Sequence, residues 1–349
     1  MIVRINQTDI GTGCPTYIVA ELSANHNGSL DRALATIRAA AEAGVNAIKL
    51  QTYTPDTLTI NCSSPEFLVQ GDGPWAGRSL YDLYQEAHTP WEWHPRLFGE
   101  ARACGLDVFS TPFDSAAVEL LQGLGAPAYK IASFELVDDE LLRLVAGTGK
   151  PVILSTGMAS LSEIMHAMDV LREAGCDQRV LLRCSSSYPA PDESLHLATL
   201  RVLETTFHCP VGLSDHSLGT TAPVVAVTMG ASMIEKHLTL SRQDGGVDSH
   251  FSLEPVEFRA LVHDIRRAEV MIGEARFGPG AAEEGNVAFR RSLYVVRDIR
   301  AGEPFTADNV RSIRPGFGLS PRLLPQIMGK RAARAAPRGT ALSWDLVAD

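Results

Sequence analysis

The feature that most limits how this chain can fold is an eightfold recurrence. Between Thr16 and His237 a short apolar run ends in a polar cluster and gives way to a longer amphipathic stretch. The runs are YIVAEL (17–22), NAIKLQ (46–51), LDVFST (106–111), AYKIAS (128–133), PVILST (151–156), RVLLRCS (179–185), PVGLSD (210–215) and SMIEKH (232–237). Near-continuous apolar strands are what a parallel sheet covered by helices requires. The stretches between them carry apolar residues three and four apart, as in SLDRALATIRAAAEAG, where Leu30, Ala33, Ile37 and Ala40 share a face and Gly44 stops the helix. HPRLFGEARACG, SAAVELLQGLG, DDELLRLVAGTG, SLSEIMHAMDVLREAG and VEFRALVHDIRRAEVMIG read the same way. Eight such units predict an α/β fold, a closed (β/α)8 TIM barrel, with a doubly wound open sheet as the alternative. The barrel is preferred because polar residues gather at the C-terminal end of nearly every run, the face on which barrel enzymes carry their sites.

After Glu274 the texture changes to RFGPGAAEEGNVAF, rich in Gly, Pro and Ala and without periodicity. This predicts a barrel over 1–275, a linker over 276–288 and a separate small module over 289–349. The module repeats weakly at an offset of 37: Gly302, Phe305, Thr306, Asp308 and Val310 return as Gly339, Leu342, Ser343, Asp345 and Val347. Each copy reads as a turn at Gly followed by a short capped helical turn. With 45% hydrophobic and 21% charged residues, the 349-residue chain can bury a sizeable core. Its net charge of −10 opposes nucleic acid and anionic lipid, so any anionic ligand must be held by local cations or amides. No apolar run approaches the roughly 18 residues of a membrane span, and the start MIVRINQTDIG does not look like a signal peptide. A cytoplasmic protein is expected, with Cys14, Cys62, Cys104, Cys176, Cys184 and Cys209 as reduced thiols.

In a barrel the strand ends converge, so residues far apart in sequence become neighbours. The ends carry Glu21; Lys49 and Gln51; Ser110 and Thr111; Lys130, Ser133 and Glu135; Ser155 and Thr156; Arg183, Ser185, Ser186 and Tyr188; Ser214, Asp215 and His216; and Glu235, Lys236 and His237. Two lysines within a ring of hydroxyls equip a site for a phosphorylated anion, Lys supplying charge and Ser or Thr directional hydrogen bonds. His216 and His237 are one strand–helix unit apart, which places them on adjacent strands about 5 Å from one another. Two imidazoles beside Glu21 suit a divalent metal, with Mn²⁺, Mg²⁺, Co²⁺ and Zn²⁺ all compatible; the alternative is that each ring only hydrogen-bonds a neighbour.

These residues sit in motifs that resemble, in order, the sialic acid synthase family: AELSANHNGSL (20–30), KLQTYTPDTLT (49–59), STPFD (110–114), YKIASFE (129–135), STGMAS (155–160), CSSSYPAP (184–191), GLSDHSLG (212–219) and IEKHLTL (234–240). The tail, with RRSLYVVRDIRAGEPFT and RPGFGLSP, resembles that family's antifreeze-like (SAF) domain. Within the family, TPWEWH (89–94), LYDLYQEAHTP, Phe134 and HFSLEP (250–255) follow the pseudaminate branch; the neuraminate and legionaminate branches usually carry a small residue in place of Phe134 and Asn in place of Ser186.

The resemblance implies a metal-dependent condensation of phosphoenolpyruvate with the open-chain aldehyde of an N-acylated amino sugar, giving a nine-carbon 2-keto acid and phosphate. By motif position, Lys49, Lys130, Ser133, Ser155, Ser186 and Ser214 would hold phosphoenolpyruvate. His216 and His237 would bind the metal, Mn²⁺, Co²⁺ or Mg²⁺, while Glu21, Gln51, Tyr188 and Asp248 would position the sugar and Glu135 would lie near the reacting aldehyde. Arg314 would reach the barrel of the other subunit in a domain-swapped homodimer and contact an N-acetyl group. Either Glu135 or Glu21 would serve as the acid or base of the reaction. Phe134 and Phe251 are candidates to line an apolar sugar pocket, or are plain core residues. Three alternatives stand beside this: a neuraminate or legionaminate synthase, a Schiff-base aldolase with Lys130 as nucleophile, and a non-enzymatic carbohydrate- or ice-binding protein.

Overall fold

A computed structural model describes residues 1–71, 73 and 75–348, which divide into two units, 1–273 and 274–349. The first opens with an antiparallel hairpin, β1 (Ile2–Ile5) and β2 (Thr8–Gly11), with Ile5 opposite Thr8. Asn6 makes its turn at φ 50°, a left-handed conformation that Asn tolerates better than most residues. Then follow β3 (Tyr17–Glu21), β4 (Ala47–Thr52), β5 (Asp107–Pro112), β6 (Tyr129–Ile131), β7 (Val152–Ser155), β8 (Arg179–Cys184), β9 (Val211–Asp215) and β10 (Met233–His237). They form one closed parallel barrel in sequence order, with β10 pairing back onto β3. All eight apolar runs are therefore barrel strands, and the open-sheet alternative is excluded.

Every second residue of each strand faces outward to the helices. Ile18, Ala20, Ile48, Leu50, Val108, Ile131, Leu154, Leu181, Leu213 and Ile234 pack there with Leu34, Ile37, Leu97, Leu121, Leu142, Ile164, Leu203 and Phe258 from the helical stretches. The helix termini follow the local chemistry. Leu30–Ala43 starts where the Ser29 side chain accepts the Arg32 amide and stops at Gly44, φ 86°. Leu161–Glu173 starts on a reciprocal Ser160/Glu163 capping box. The other strand residues face inward and fill the lower barrel with Tyr17, Val19, Ala47, Phe109, Ala128, Ile153, Val180, Leu182 and Met233. Val3, Ile5 and Ile10 of the hairpin join that cluster and close the N-terminal end. Gly212 faces inward where any side chain would collide with the Met233 backbone and Leu182.

In the second unit, β11 (Ser292–Val295) pairs antiparallel with β12 (Val310–Ile313). Its core is built from Leu293, Val295, Phe305, Val310, Leu342 and Leu346, among others. The internal repeat is partly regular: Gly302 and Gly339 both take positive φ, and Phe305 and Leu342 are both buried. Only the second copy completes a 3-10 turn, Trp344–Leu346; the first stays a hydrogen-bonded turn in which Asn309 and Val310 donate to the Thr306 carbonyl. Among the described residues no helix is long and apolar enough to cross a membrane. All six cysteines are free.

Candidate active site

Two residues beyond the apolar layer, the same inward alternation delivers Glu21, Lys49, Lys130, Ser155, Cys184, Ser214 and Glu235, all nearly or fully buried. A buried charge is tolerable only if paired, and these are. Lys49 pairs with Glu21, donates to Thr111 Oγ1 at 3.3 Å and lies 3.6 Å from Glu235 Oε1. Lys130 donates to the same Glu235 oxygen at 3.2 Å, and Ser214 Oγ donates to it at 3.0 Å. Burial works against the Glu235 carboxylate, yet Lys130 and Lys49 together hold it down to about 2. Burial raises Glu21 despite its lysine partner, and burial lowers Lys130. The two lysines are thus not free cations waiting for an anion; each already has a carboxylate. Glu235 Oε2 and Ser155 Oγ are buried without a hydrogen-bond partner among the described residues, so the cluster keeps unused capacity.

Beside this cluster Ser133, Ser186 and Gly157 meet. Gly157 N donates to Ser133 Oγ at 3.0 Å, and a Cβ on Gly157 would strike the hydroxyls of both Ser133 and Ser186. Next to Gly157, Met158 is held at φ 63°, a strained conformation of the kind that collects at functional loops.

His216 and His237 follow on β9 and β10, with ring centroids 5.3 Å apart. His216 Nδ1 lies 3.0 Å from the Ser185 carbonyl and donates to it; burial works against the charged ring, but Cys184 and this carbonyl raise its pKa above the ordinary histidine value. Burial and the neighbouring positive groups push His237 well below the ordinary range, keeping it neutral, and its Nδ1 is buried without a partner. His237, neutral with an orphaned nitrogen, and His216, whose Nδ1 is engaged by a carbonyl and whose Nε2 is left for a metal once that ring is deprotonated, fit metal ligation. Among the described residues no group of three or more His, Cys, Asp or Glu is arranged to hold an ion alone. A metal at these two rings would take its remaining ligands from water or substrate, the open arrangement that Lewis-acid catalysis needs. Cys184 Sγ lies 3.8 Å from His216 Nδ1; burial would raise this thiol, but His216 brings it down to about 7.

Asp248 reaches the same place from the loop after β10. It bonds Ser23 Oγ and lies 3.9 Å from His237 Nδ1, and burial pushes it up to about 7. Ser23 N in turn donates to Glu21 Oε1 at 3.0 Å, tying Asp248 to the charged layer. Tyr188 packs its ring 4.4 Å from His216, and burial raises its hydroxyl strongly. Glu135, on the loop after β6, is pushed up to about 7 by burial and leaves Oε2 unpartnered. Gln51, half-buried, lies two residues beyond Lys49 on the same inward face. Phe251 is buried against His237 at 4.7 Å and Tyr188 at 5.3 Å. Phe134, by contrast, is 58% exposed. Arg314 is exposed on the second unit.

Glu235 is the central residue that the sequence reading left without a role. The signal was available: in Ile234-Glu235-Lys236-His237 the two-residue alternation that points His237 inward also points Glu235 inward and Lys236 outward. Trp75 was also missed; its indole donates to the Val247 carbonyl at 3.0 Å and its ring lies 5.5 Å from Tyr188.

Residues 36–277 match the NeuB family and residues 290–348 match the SAF domain. The chain belongs to the NeuB family. This NeuB-family chain is 44% identical to the pseudaminic acid synthase of Campylobacter jejuni subsp. jejuni serotype O:2, over 96% of its own length and 97% of that protein's. It is 42% identical to the pseudaminic acid synthase of Helicobacter pylori, over 95% and 97%. Among solved structures it is similar to the N-acetylneuraminic acid (sialic acid) synthetase of Leptospira borgpetersenii in complex with citrate, with a TM-score of 0.73 and 32% identity over 82% of this chain and 95% of that one. The likeness to sialic acid synthases read from the motifs, including the SAF tail of the NeuB-family chain, is thereby borne out.

Proposed function

We propose that this chain condenses phosphoenolpyruvate with the open-chain aldehyde of 2,4-diacetamido-2,4,6-trideoxy-L-altrose, giving pseudaminic acid and phosphate. The observation that supports the chemistry best is that one barrel mouth combines a buried lysine–carboxylate cluster, a hydroxyl cradle at Gly157 and a pair of imidazoles 5.3 Å apart. The choice of sugar rests on relatives: three bearing the name pseudaminic acid synthase are 42–44% identical, against 32% for the N-acetylneuraminate relative.

In this reading phosphoenolpyruvate takes over the charges of Lys49 and Lys130, while Ser133, Ser155, Ser186 and Ser214 supply directional hydrogen bonds to its oxygens. Glu21 and Glu235 balance the lysines while the site is empty, so the mouth stays soluble and folded without its anion. Gln51, Tyr188 and Asp248 orient the sugar. C3 of phosphoenolpyruvate bonds to the aldehyde carbon, using the enol π pair, and positive charge appears at C2. Glu135, raised to about 7 and half-protonated near neutrality, gives its proton to the new alkoxide. The resulting carboxylate then takes a proton from the water that adds to C2, and the tetrahedral phosphohemiketal collapses to the keto acid by expelling phosphate. Glu21 is bound to Lys49 and Ser23, which suits a positioning role better. His216 and His237 would hold a divalent ion, Mn²⁺, Co²⁺ or Mg²⁺, which when bound would supply Lewis-acid polarisation of the aldehyde oxygen.

The proposal extends to assembly. The barrel (1–275), linker (276–288) and SAF module (289–349) form a domain-swapped cytoplasmic homodimer in which Arg314, exposed and followed by Pro315 and Gly316, contacts the sugar's N-acetyl group across the interface. A mixture of Arg314→Ala and His216→Ala chains, each inactive alone, regains activity through hybrid dimers; a fully active monomer contradicts this.

The test of function is phosphate release from phosphoenolpyruvate, with the product weighed by mass spectrometry. Release that depends on the amino sugar, yields a nine-carbon keto acid and stops on chelation supports the proposal. Release without sugar, or an adduct trapped on Lys130 by borohydride in chelated enzyme, overturns it in favour of other chemistry.

A further inference from the structure

On the outer face of β9 and β10, directly behind the two imidazoles, lies an ion pair that the chemistry above does not use. Lys236 Nζ donates to Asp215 Oδ2 at 2.5 Å and to the Ser217 carbonyl at 2.6 Å. Asp215 Oδ1 accepts from Ser217 N at 2.9 Å and from Ser217 Oγ at 2.7 Å. All three residues are 1% exposed or less. Strand register sets Lys236 beside Asp215, so the strand alternation that sends His216 and His237 into the mouth sends this pair away from it.

The connectivity is specific. One ammonium group holds the residue before His216 and the residue after it, and is itself the residue before His237. Asp215 closes the same loop from within by binding Ser217. A buried ion pair is not needed for stability at such a place, since well-packed apolar residues of similar volume commonly do as well or better. What apolar packing cannot supply is a directional tie between two backbones at one point.

We propose that Asp215, Lys236 and Ser217 form a clip whose role is to fix the separation of His216 from His237, so that the pair is preorganised to chelate a divalent ion. These are positioning residues: none faces the mouth. The inference rests on the reading of His216 and His237 as metal ligands, and its consequence is measured as metal affinity rather than turnover. Residues that orient metal ligands typically change affinity by about 10- to 100-fold when removed.

The experiment is a Mn²⁺ titration of the full-length chain, followed by loss of the free-ion paramagnetic resonance signal, with Tm recorded for each protein. Lys236→Met removes the tie but leaves Asp215 buried and unpaired, so Asp215→Asn/Lys236→Met is the decisive variant, because it removes both charges together. The expected result is tight binding by the parent chain, none by His216→Ala/His237→Ala, and at least about tenfold weaker binding by the Asp215→Asn/Lys236→Met chain with its Tm within a few degrees of the parent. A folded double variant that binds Mn²⁺ within twofold of the parent overturns the clip while leaving the ligand assignment standing. Equal binding by the parent and by His216→Ala/His237→Ala overturns the ligand assignment, and the clip with it.

Discussion

The lower and upper halves of the barrel interior are built by the same strands and the same alternation, yet they share no chemistry. On β3 the inward residues run Tyr17, Val19, Glu21; on β4 Ala47, Lys49, Gln51; on β10 Met233, Glu235, His237. One pleat, about 7 Å of strand, separates an apolar layer closed by the hairpin from a layer of buried charge. Sealed below, the barrel needs no polar group there and gains stability from packing. Above, each charge is retained at a desolvation cost offset by a specific partner, which is the arrangement expected where an anionic ligand must later displace one partner for another.

The sharpest way to break this division is to truncate one residue in each half. His216→Ala or His237→Ala should lower kcat/KM by about a hundred- to a thousandfold, the scale seen when a group stabilising developing charge is removed, with Tm changed by only a few degrees. A His variant with parental activity would place the chemistry elsewhere. Next in size is Glu135→Gln, expected to cost about a hundredfold, as for loss of a general acid. Its pH signature is the better test. Burial raises the Glu135 pKa from the ordinary 4.5 to about 7, so the carboxyl contributes stability fully present below about pH 4.5 and lost as pH rises through about 7. Activity that needs its proton falls over that upper limb. The Gln variant should lose the limb near pH 7 and part of the decline in Tm between pH 4.5 and 8. Asp248, raised to about 7 by the same cause, and Glu21, also raised by burial, keep the remainder. An unchanged pH profile in Glu135→Gln would remove it as the proton donor.

The smallest effect on catalysis is expected below. Phe109→Ala empties a fully buried position of the apolar layer and should cost about 3–5 kcal/mol of stability, read by chemical denaturation, with kcat/KM within threefold of the parent. If Phe109→Ala harms activity as much as Glu135→Gln does, the two halves are not separable.

What was legible in the sequence follows the same line. A strand announces itself by local apolarity, and its C-terminal end by the polar cluster that follows, so the eight strands, the two lysines and the two imidazoles were all in view. The hairpin was passed over although Val3, Ile5 and Ile10 mark its buried face, because two four-residue strands carry little signal before the barrel they plug is known. Which lysine meets which carboxylate is a matter of register around a closed ring: Lys130 and Glu235 are 105 residues apart and meet only because β6 and β10 both point inward at the same height. The Gly157 cradle was hidden for a similar reason, since it needs loops after β6, β7 and β8 to approach within a hydroxyl's width. Phe134, offered as a pocket residue or a plain core residue, is 58% exposed and so is not core, because alternation on a loop does not fix which way a side chain points.

The measurement that bears most directly on the proposed function is a side-by-side determination of kcat/KM, at fixed saturating phosphoenolpyruvate and Mn²⁺, for three sugars. These are the altrose-configured 2,4-diacetamido sugar, N-acetylmannosamine, and the 2,4-diacetamido-6-deoxy mannose analogue. If Phe251, buried against His237 and Tyr188, lines the sugar pocket, the extra hydroxyls of N-acetylmannosamine would be left without partners there, at about 1–3 kcal/mol each. The account predicts at least about tenfold higher kcat/KM for the altrose-configured sugar, tenfold being about 1.4 kcal/mol in barrier. Equal or better turnover of either other sugar would contradict it.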